Sequence, residues 1–275
     1  MTRIAFIGGG NMARSLISGL LKTGTTAADI GVAEPLAEAR ERLGRDYGVA
    51  AWPDHRSAVA GTEVVVLAVK PQALPKVRGE LRAALQGEHR LLISICAGVR
   101  LDQLERWLGA LPMVRCMPNT PALIGAGATG LVANSRVSPE QKALAQRILD
   151  GAGLTRWIER ETLMDTVTAL SGSGPAYFFA LVEALEEAAV RQGLPRDTAR
   201  ALAAQTCLGA GRMLTESGDD PAELRRRVTS PHGTTQAALE SFAADGLAAI
   251  TARAVAAATR RGGELADELD REEAP

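Results

Sequence analysis

The hydrophobic and polar positions divide the chain into two regions. Up to about Glu159, short apolar runs alternate with helix-spaced segments; the runs are IAFI, DIGVAEP, TEVVVLAV, LLISICAG, MVRCM, GATGLVAN and TRWIE. Runs such as VVVLAV lack polar alternation, which is typical of strands covered on both faces of a parallel sheet. Strands and helices that alternate in this way predict a doubly wound, parallel α/β sheet.

The second region, from Glu161 to the end, has the helical period throughout. Its segments are rich in alanine, as in AYFFALVEALEEAAV, RDTARALAAQTCLGAGRML and LAAITARAVAAATRR. We therefore expect two domains, residues 1–160 and 161–275, of which the second is all-α. Aromatic residues are only 3% of the chain, so these helices must pack through small and aliphatic side chains, within a subunit or between subunits.

Charge and hydropathy exclude several classes of protein. The net charge is −1, with basic residues scattered among acids, which gives no basic surface for nucleic acid. The longest apolar helix candidate, AYFFALVEALEEAAV, carries Glu183, Glu186 and Glu187, so we expect no membrane span. Glycines and Asn11 interrupt the apolar N-terminus, which argues against a secretory signal. The acidic end, ELADELDREEAP, is expected to be a solvated helix end.

Cysteine and histidine usage gives no metal site. The chain has three cysteines that are far apart, Cys96, Cys116 and Cys207, which predicts neither a disulfide framework nor a zinc site and fits a reducing cytoplasm. The three histidines, His55, His89 and His232, form no recognisable cluster, and His55 and His89 are expected in surface or loop positions. The chemistry is therefore expected to come from a cofactor.

A glycine-rich junction follows the first strand. In IAFIGGGNMA the pattern is G-x-G-x-x-A, with Gly8 placed for a tight turn and Gly10 placed for close approach of a ligand to the backbone. Ala13 fills the third small position, where the helix packs against the strand. Such a junction predicts a dinucleotide pyrophosphate at a helix N-terminus; a tight strand-to-helix connection without a ligand is the alternative.

Three further positions lie where a dinucleotide site needs them. Glu34 ends the second strand about twenty residues beyond Ala13, where an acid meets the adenosine ribose; the alternative is an acid in the first turn of a helix. Lys70 directly follows a doubly buried strand, at the rim of the expected crevice, or is a plain surface lysine. Asn119 lies in MPNTP, a turn stiffened by prolines that would hold its amide at the crevice; a purely structural turn is the alternative.

The segment SPHGTT predicts a second anion site, in the helical region. Thr229 and Ser230 are capping residues before Pro231, which predicts a helix start that runs on through TTQAALESF. Free N–H groups and two hydroxyls would then converge on one point. A capped helix with no ligand is the alternative interpretation.

Several motifs together resemble one enzyme family. IGGGNMA, AVKP, SICAG, MPNTP, LSGSGPAY and SPHGTT occur in this order and at separations that resemble pyrroline-5-carboxylate reductase, over Ile4 to about Ala258. This family reduces a cyclic imine to L-proline with NADPH or NADH. The resemblance implies a Rossmann domain followed by an all-α dimerisation domain, and a homodimer that assembles further, up to a decamer.

The resemblance also implies roles for individual residues. The pyrophosphate loop corresponds to Gly8, Gly10, Asn11 and Met12. The loop beside the cofactor ribose corresponds to Ala68, Val69, Lys70 and Pro71, and the strand end near the nicotinamide to Cys96 and Ala97. Glu161 matches a position near the substrate. The turn that binds the substrate carboxylate corresponds to Ser230, His232, Gly233, Thr234 and Thr235, and Thr235 meets the imine nitrogen.

Two features of this chain depart from the family pattern. The family usually has SPGG where this chain has SPHG, so His232 occupies a glycine position; if that position needs positive φ, histidine is strained there by about 1 kcal/mol. Glu34, followed by PLA, favours the ribose hydroxyls of NADH over the 2′-phosphate of NADPH, unless Arg40 or Arg42 folds back over the loop.

Two rival functions remain from the sequence. A related reductase for a hydroxy acid or a different imine would carry a catalytic lysine or histidine early in the helical region, and this chain has no lysine after Lys142. A non-catalytic dinucleotide-binding regulator would have no reason to keep SPHGTT and SGSGPAY.

Overall fold

The computed structural model describes residues 2–86 and 90–271 of the chain. His89 and the last four residues of the acidic end lie outside the described residues. By contacts the chain forms two compact units. The sheet unit comprises Met1–Ser173 with Ala257–Pro275, and the helical unit comprises Gly174–Ala256.

The sheet unit contains one eight-stranded sheet. Its strands are β1 (Ile4–Ile7), β2 (Ile30–Ala33), β3 (Ala50–Trp52), β4 (Val64–Leu67), β5 (Leu91–Ser94), β6 (Met113–Met117), β7 (Gly127–Ala133) and β8 (Gly153–Trp157). Their order is β3-β2-β1-β4-β5-β6-β7-β8. All neighbouring pairs are parallel except β6 and β7. The chain order reverses between β1 and β4, which is where open α/β sheets bind ligands.

Helices cover both faces of this sheet. Those before the helical unit are α1 (Asn11–Lys22), α2 (Ala37–Tyr47), α3 (His55–Val59), α4 (Leu74–Leu85), α5 (Leu101–Leu108), α6 (Pro139–Asp150) and α7 (Met164–Val167). Alternate β1 residues belong to two separate cores: Phe6 packs with residues of α1 and α6, and Ile7 with residues of α4 and α5. Both faces of the strands are therefore buried, as their continuous apolar runs predict.

The remaining helices are α8 (Gly174–Arg191), α9 (Arg196–Glu216), α10 (Pro221–Arg227), α11 (Thr234–Ala244) and α12 (Leu247–Arg271). Within the helical unit α8 packs against α9, and the Glu186 carboxylate accepts hydrogen bonds from Arg196 and Arg200. In residues 174–256, all of which the structure describes, Ala199 is the one hydrophobic residue whose side chain is buried. Among residues 2–86 and 90–271 no single helix is long and apolar enough to cross a membrane; one bent pair, α11 with α12, passes on length and composition alone.

The architecture confirms the predicted α/β sheet followed by helices, with two differences. The predicted sheet was wholly parallel, but β7 runs antiparallel to β6, because the connection between them is too short for a crossover helix. The sequence patterns predicted no strand for β3 and no helix for α3 or α4. The contact units divide the chain after Ser173, and the predicted domain boundary at residue 160 stays a prediction. The part of α12 from Ala257 onward belongs to the sheet unit, where Gln103 on α5 donates to the Ala266 carbonyl (3.0 Å).

Candidate functional site

The candidate cofactor site is the edge of the sheet where β1, β4, β5 and β6 end. Because these strands are parallel, the loops that follow them emerge on the same side. Backbone hydrogen bonds continue past the strand ends: the Ala68 N–H donates to Ile7 O (2.9 Å), and the Ile95 N–H to Leu67 O (3.0 Å). The glycine loop, the Ala68–Pro71 loop and the segment around Ala97 therefore follow neighbouring strands in the sheet unit.

The glycine loop has the geometry of a phosphate-binding turn. Gly8 has a φ of +101°, and a Cβ there would lie 2.9 Å from the Ala68 carbonyl oxygen, so only glycine fits. Gly10 is the N-cap of α1 and supplies no side chain to it, and a Cβ on Gly10 would meet no atom within 4 Å. The first-turn N–H groups of α1 therefore face open space. Asn11 is exposed beside them, and Met12 packs against the core.

Glu34 faces the glycine loop through its carboxylate. Oε2 accepts a hydrogen bond from the Gly9 N–H, and Oε1 accepts one from the Leu36 N–H, both at 3.1 Å. Arg40 does fold back over this loop, but its Nη1 donates to the main-chain carbonyls of Glu34 (2.8 Å) and Pro35 (2.7 Å). Arg40 therefore holds the turn between β2 and α2 in place.

The loops after β4 and β5 are joined through a buried thiol. The Cys96 Sγ–H donates to the Val69 carbonyl oxygen (3.3 Å), and burial raises the pKa of Cys96 to about 11. Cys96 is therefore a neutral thiol at physiological pH, and it acts as packing rather than as a nucleophile. Lys70 and Ala97 are exposed at the rim, and Pro71 begins a short 3₁₀ turn.

Asn119 uses its amide for structure. The Nδ2 group donates to the Ser171 carbonyl (2.9 Å), and Oδ1 accepts from the Ala128 N–H (2.9 Å). The side chain thus joins the turn after β6 to the start of β7 and to the π-helical stretch Thr168–Gly172. These contacts favour the structural interpretation of MPNTP, and a contact of Asn119 with the cofactor stays a prediction.

Glu161 belongs to an ion-pair cluster that the sequence does not predict. Arg115 lies in β6 with only 5% of its side chain exposed, and it pairs with Glu161 (2.9 Å) and Asp165 (3.5 Å). The same Glu161 oxygen accepts a hydrogen bond from the Leu101 N–H at the start of α5 (2.8 Å). An arginine within the apolar run MVRCM was the available signal, since a buried charge needs a partner. Substrate contact by Glu161 stays a prediction.

The SPHGTT turn lies in the helical unit, and its helix begins later than predicted. The N-cap of α11 is Gly233, not Thr229 or Ser230, and no side chain caps the helix. The Thr229 hydroxyl instead donates to the Arg225 carbonyl of the preceding helix (2.6 Å), and the Ser230 carbonyl accepts from the Gly233 N–H (3.0 Å). The capping prediction was wrong because a full turn, closed by that bond, separates Ser230 from the helix.

His232 does occupy a strained position. Its φ is +59°, and it is the one non-glycine residue with positive φ in the part of the chain that the structure describes. Its N–H donates to Oε1 of Gln236 (2.8 Å) in the first turn of α11. Within the described residues the Thr234 and Thr235 hydroxyls have no hydrogen-bond partner, so the start of α11 presents free N–H groups and free hydroxyls together.

Comparisons with known proteins identify the family. Residues 161–265 match the family model for pyrroline-5-carboxylate reductase dimerisation, and residues 3–98 match that for NADP oxidoreductase, coenzyme F420-dependent. The chain is 50% identical to the pyrroline-5-carboxylate reductase of Pseudomonas aeruginosa over 268 residues, which cover 97% of this chain and 98% of the relative. This chain belongs to the pyrroline-5-carboxylate reductase family. The reductase of Pasteurella multocida is 43% identical, over 95% of this chain and 97% of its own.

Solved structures of pyrroline-5-carboxylate reductases agree with this assignment. That of Coxiella burnetii matches with a TM-score of 0.93 and 42% identity, covering 96% of this chain and 98% of the other. A Plasmodium falciparum pyrroline carboxylate reductase with NADP bound matches with a TM-score of 0.83 and 28% identity, at the same coverage of both chains.

The site of this family member suits a nicotinamide dinucleotide. The space at Gly10 is open to a ligand, the uncapped start of α1 supplies N–H donors for a pyrophosphate, and Glu34 stands where a ribose is expected. Among residues 2–86 and 90–271, no group of three or more His, Cys, Asp or Glu side chains is arranged to hold a metal ion.

Proposed function

We propose that this protein reduces 1-pyrroline-5-carboxylate to L-proline, the last step of proline biosynthesis, with NADPH or NADH as the cofactor. The observation that carries the proposal is the open, uncapped α1 N-terminus after Gly8–Gly10, in a chain half identical to a curated pyrroline-5-carboxylate reductase over almost all its length. The absence of any lysine after Lys142 disfavours the related reductases that use one.

The sheet unit holds the cofactor in this proposal. Gly8, Gly10, Asn11 and Met12 form the pyrophosphate site, because free N–H groups and the positive end of the α1 dipole face the same space. The ribose and nicotinamide contacts come from the segments Ala68–Pro71 and Cys96–Ala97. When bound, the reduced nicotinamide supplies the hydride.

The start of α11 holds the substrate. Its free N–H groups donate hydrogen bonds to the substrate carboxylate, with Ser230, His232, Gly233 and Thr234 around it. The Thr235 hydroxyl accepts a hydrogen bond from the protonated imine nitrogen and so orients the imine carbon. As hydride adds to that carbon, the C=N electron pair moves to nitrogen. Because this nitrogen already bears its proton, the product amine forms without a separate acid group.

A Thr235 series tests this assignment. Purified protein with pyrroline-5-carboxylate should oxidise NAD(P)H, and Thr235→Ala should lower kcat about ten- to hundredfold, the worth of one hydrogen bond to a charged group. Thr235→Ser should keep most of the activity. Thr251→Ala is the matched control, because Thr251 lies on another helix of the same unit and bonds only to Leu247.

Two outcomes would contradict the proposal at different levels. Unchanged kinetics in Thr235→Ala, with cofactor affinity also unchanged, would remove Thr235 from the mechanism. If wild-type protein that binds cofactor oxidises none with this substrate, the activity itself is excluded, and a dinucleotide-binding regulator or another imine reductase becomes the better interpretation.

The proposal includes a cofactor preference. Glu34 can accept hydrogen bonds from both ribose hydroxyls of NADH, so NADH should be used well. Glu34→Ser removes this carboxylate and should shift the ratio of kcat/KM for NADPH to kcat/KM for NADH toward NADPH by about tenfold. A wild-type enzyme that prefers NADPH by a large factor would mean that Glu34 does not meet the ribose.

Self-association and location complete the proposal. The match of residues 161–265 to a dimerisation family supports self-association through the helical unit. We expect a homodimer, and a decamer as the larger assembly. Three free cysteines support a reducing cytoplasm as the location.

A further inference from the structure

A cavity of about 510 Å³ opens at the end of the sheet where β1 begins, opposite the edge that carries the glycine loop. Its walls come from the residues around the start of β1, the turn between α1 and β2, and the last turns of α1 and α6. The lining includes no residue assigned above to the cofactor or the substrate. Because the volume is that of a small-molecule pocket, the cavity can hold a ligand of its own.

A contact between two glycines places two helix ends beside this cavity. Gly19 in α1 meets Gly151, which follows α6, so closely that a Cβ on Gly19 would lie 2.3 Å from the Gly151 carbonyl oxygen. With side chains at these positions the two helices could not approach as they do. The last turns of α1 and α6 both line the cavity, and helix C-termini carry a partial negative charge. This part of the cavity therefore favours a cation.

Three charged side chains line the cavity, and each has capacity for a further contact. Asp29 accepts through Oδ2 from the Thr26 hydroxyl, and Asp150 accepts through Oδ1 from the Thr155 hydroxyl, both at 2.5 Å. Each carboxylate therefore keeps one oxygen without a partner among the described residues. Within residues 2–86 and 90–271, Arg147 makes no hydrogen bond or ion pair. The cavity can thus bind a cationic group and an anionic group together.

The rest of the lining is largely aliphatic. Ile4, Leu20 and Ile148 are buried, with at most 3% exposure, and belong to the core that the sheet shares with α1 and α6. Leu144 on α6 is half-buried and packs against the same core. A ligand that reaches the charged groups gains further free energy if it also covers this apolar floor.

We propose that this cavity binds an α-amino acid with an apolar side chain, as the zwitterion. Its ammonium group donates to the free oxygens of Asp29 and Asp150, its carboxylate pairs with Arg147, and its side chain lies on the aliphatic floor. A simple amine would leave the Arg147 guanidinium without a partner beside a second cation. A simple carboxylic acid would face two carboxylates and two helix C-termini, which repel it. The zwitterion satisfies both signs of charge.

Truncated ligands test the proposal on the wild-type protein. The full-length protein is titrated calorimetrically, with saturating NADP⁺ present, with L-leucine and with L-phenylalanine. At least one should bind with a dissociation constant of about 1 mM or below. For leucine, 3-methylbutylamine lacks only the carboxylate and 4-methylpentanoate lacks only the ammonium group. Each should bind about tenfold more weakly or less, because each loses its hydrogen bonds to a charged side chain.

Variants locate the binding. Arg147→Ala and Asp29→Asn should each weaken the amino acid about tenfold or more. Arg136→Ala is the matched control, because Arg136 is exposed just before α6 and lies outside the lining. Thr235→Ala should also leave the affinity unchanged, which separates this cavity from the substrate site at the start of α11.

Three results would overturn the inference. The first is that neither amino acid binds at millimolar concentration. The second is that NADP⁺ or Thr235→Ala abolishes the binding, since the ligand would then occupy the reductase site. The third is that Arg147→Ala and Asp29→Asn, with wild-type melting curves, bind the amino acid as tightly as the wild type. Failure of the reductase proposal would appear separately, as cofactor binding without turnover of pyrroline-5-carboxylate.

Discussion

The sheet unit buries long aliphatic side chains on both faces of its strands, whereas the helical unit leaves its large apolar side chains exposed. In the first, residues such as Phe6, Ile7, Leu16 and Leu67 are fully inaccessible to solvent. In the second, the exposed large apolar residues are Tyr177, Phe178, Phe179, Leu181, Leu185, Leu194, Leu202, Leu208, Met213, Leu214, Val228, Phe242, Leu247 and Ile250. The sheet unit thus gains hydrophobic free energy from burial within the chain, whereas the helical unit leaves most of its large apolar surface in contact with water.

This difference shows what the helical unit requires. Exposed apolar surface on this scale marks an interface, because monomeric proteins rarely tolerate it. Its helices already pair locally, as α8 does with α9, yet Ala199 is the one buried hydrophobic residue within 174–256. We infer that a second copy of the chain supplies the missing half of the core, whereas the sheet unit completes its own.

The largest expected effect comes from placing a charge on this surface. Phe179 is 68% exposed on α8, and Phe179→Asp would bury a carboxylate in the interface. Loss of a buried phenylalanine costs about 1.5–3 kcal/mol, and a twofold interface loses it twice. We therefore expect the dimer dissociation constant to rise by about a hundredfold or more, which light scattering over a concentration series would measure.

Leu154→Asp is the control in the sheet unit. Leu154 is 54% exposed on β8, so the substitution adds the same charge at a similarly exposed position. It should leave the dimer intact. A wild-type protein that is an active monomer of about 29 kDa at micromolar concentration would contradict the inference that the helical unit needs a second copy of the chain.

The second-largest expected effect is on the free energy of unfolding of the sheet unit. Arg115→Met removes the cation that compensates Glu161 and Asp165 from a position with 5% exposure. Breaking a buried ion pair from one side costs about 3–5 kcal/mol, and urea unfolding would measure it. Arg156→Met, on an exposed position of β8, is the matched control. Equal, small losses in both variants would mean that the Arg115 cluster is not a stabilising element.

The two units also differ in how far the sequence predicts them. The strands of the sheet unit were predictable because uninterrupted apolar runs such as VVVLAV require burial on both faces, and glycines mark the turn after β1. β3 was not predicted because it has only three residues, Ala50–Trp52, too few for a recognisable strand pattern. The reversal of β7 escaped because strand direction depends on connection length rather than on residue pattern.

The candidate site was predictable only where local chemistry defines it. The glycine loop and Glu34 follow from spacing along one βαβ unit. The apolar run around Arg115 indicates that this arginine needs a partner, but its partners Glu161 and Asp165 were not predictable, because they are distant in sequence. The start of α11 was misplaced because Ser230 and Thr229 have capping chemistry, yet the turn around His232 delays the helix to Thr234.

The third prediction concerns pH and the buried thiols of the sheet unit. Burial raises the pKa of Cys96 to about 11, and it also raises the pKa of Cys116. Above pH 9 an unfolded thiol loses its proton while the folded one keeps it, so the stability present below pH 9 is lost as pH rises toward 11. As pH rises from 9 to 11, the free energy of unfolding should fall more steeply in the wild type than in Cys96→Ala. The two slopes should differ by about 1.4 kcal/mol per pH unit. Parallel slopes in urea titrations from pH 8 to 11 would contradict this.

The smallest expected effect lies at the strained turn of the helical unit. His232 has a φ of +59°, a conformation that costs a side-chain-bearing residue about 1–2 kcal/mol. Glycine adopts it without that cost, but it also gives the unfolded chain more entropy, which offsets part of the gain. The net change on His232→Gly should therefore be small and stabilising.

Two substitutions at this position separate backbone from side chain. Alanine keeps the strain and removes the imidazole, whereas glycine removes both, so His232→Gly should exceed His232→Ala in unfolding free energy by about 1 kcal/mol. If the imidazole contacts the substrate carboxylate, both variants should raise KM for pyrroline-5-carboxylate severalfold and to the same extent. Thermal unfolding and steady-state kinetics on the three proteins measure this. Equal stability of the two variants would mean that the turn relaxes away from positive φ. An unchanged KM in both would mean that His232 does not contact the substrate and that glycine suits this position better.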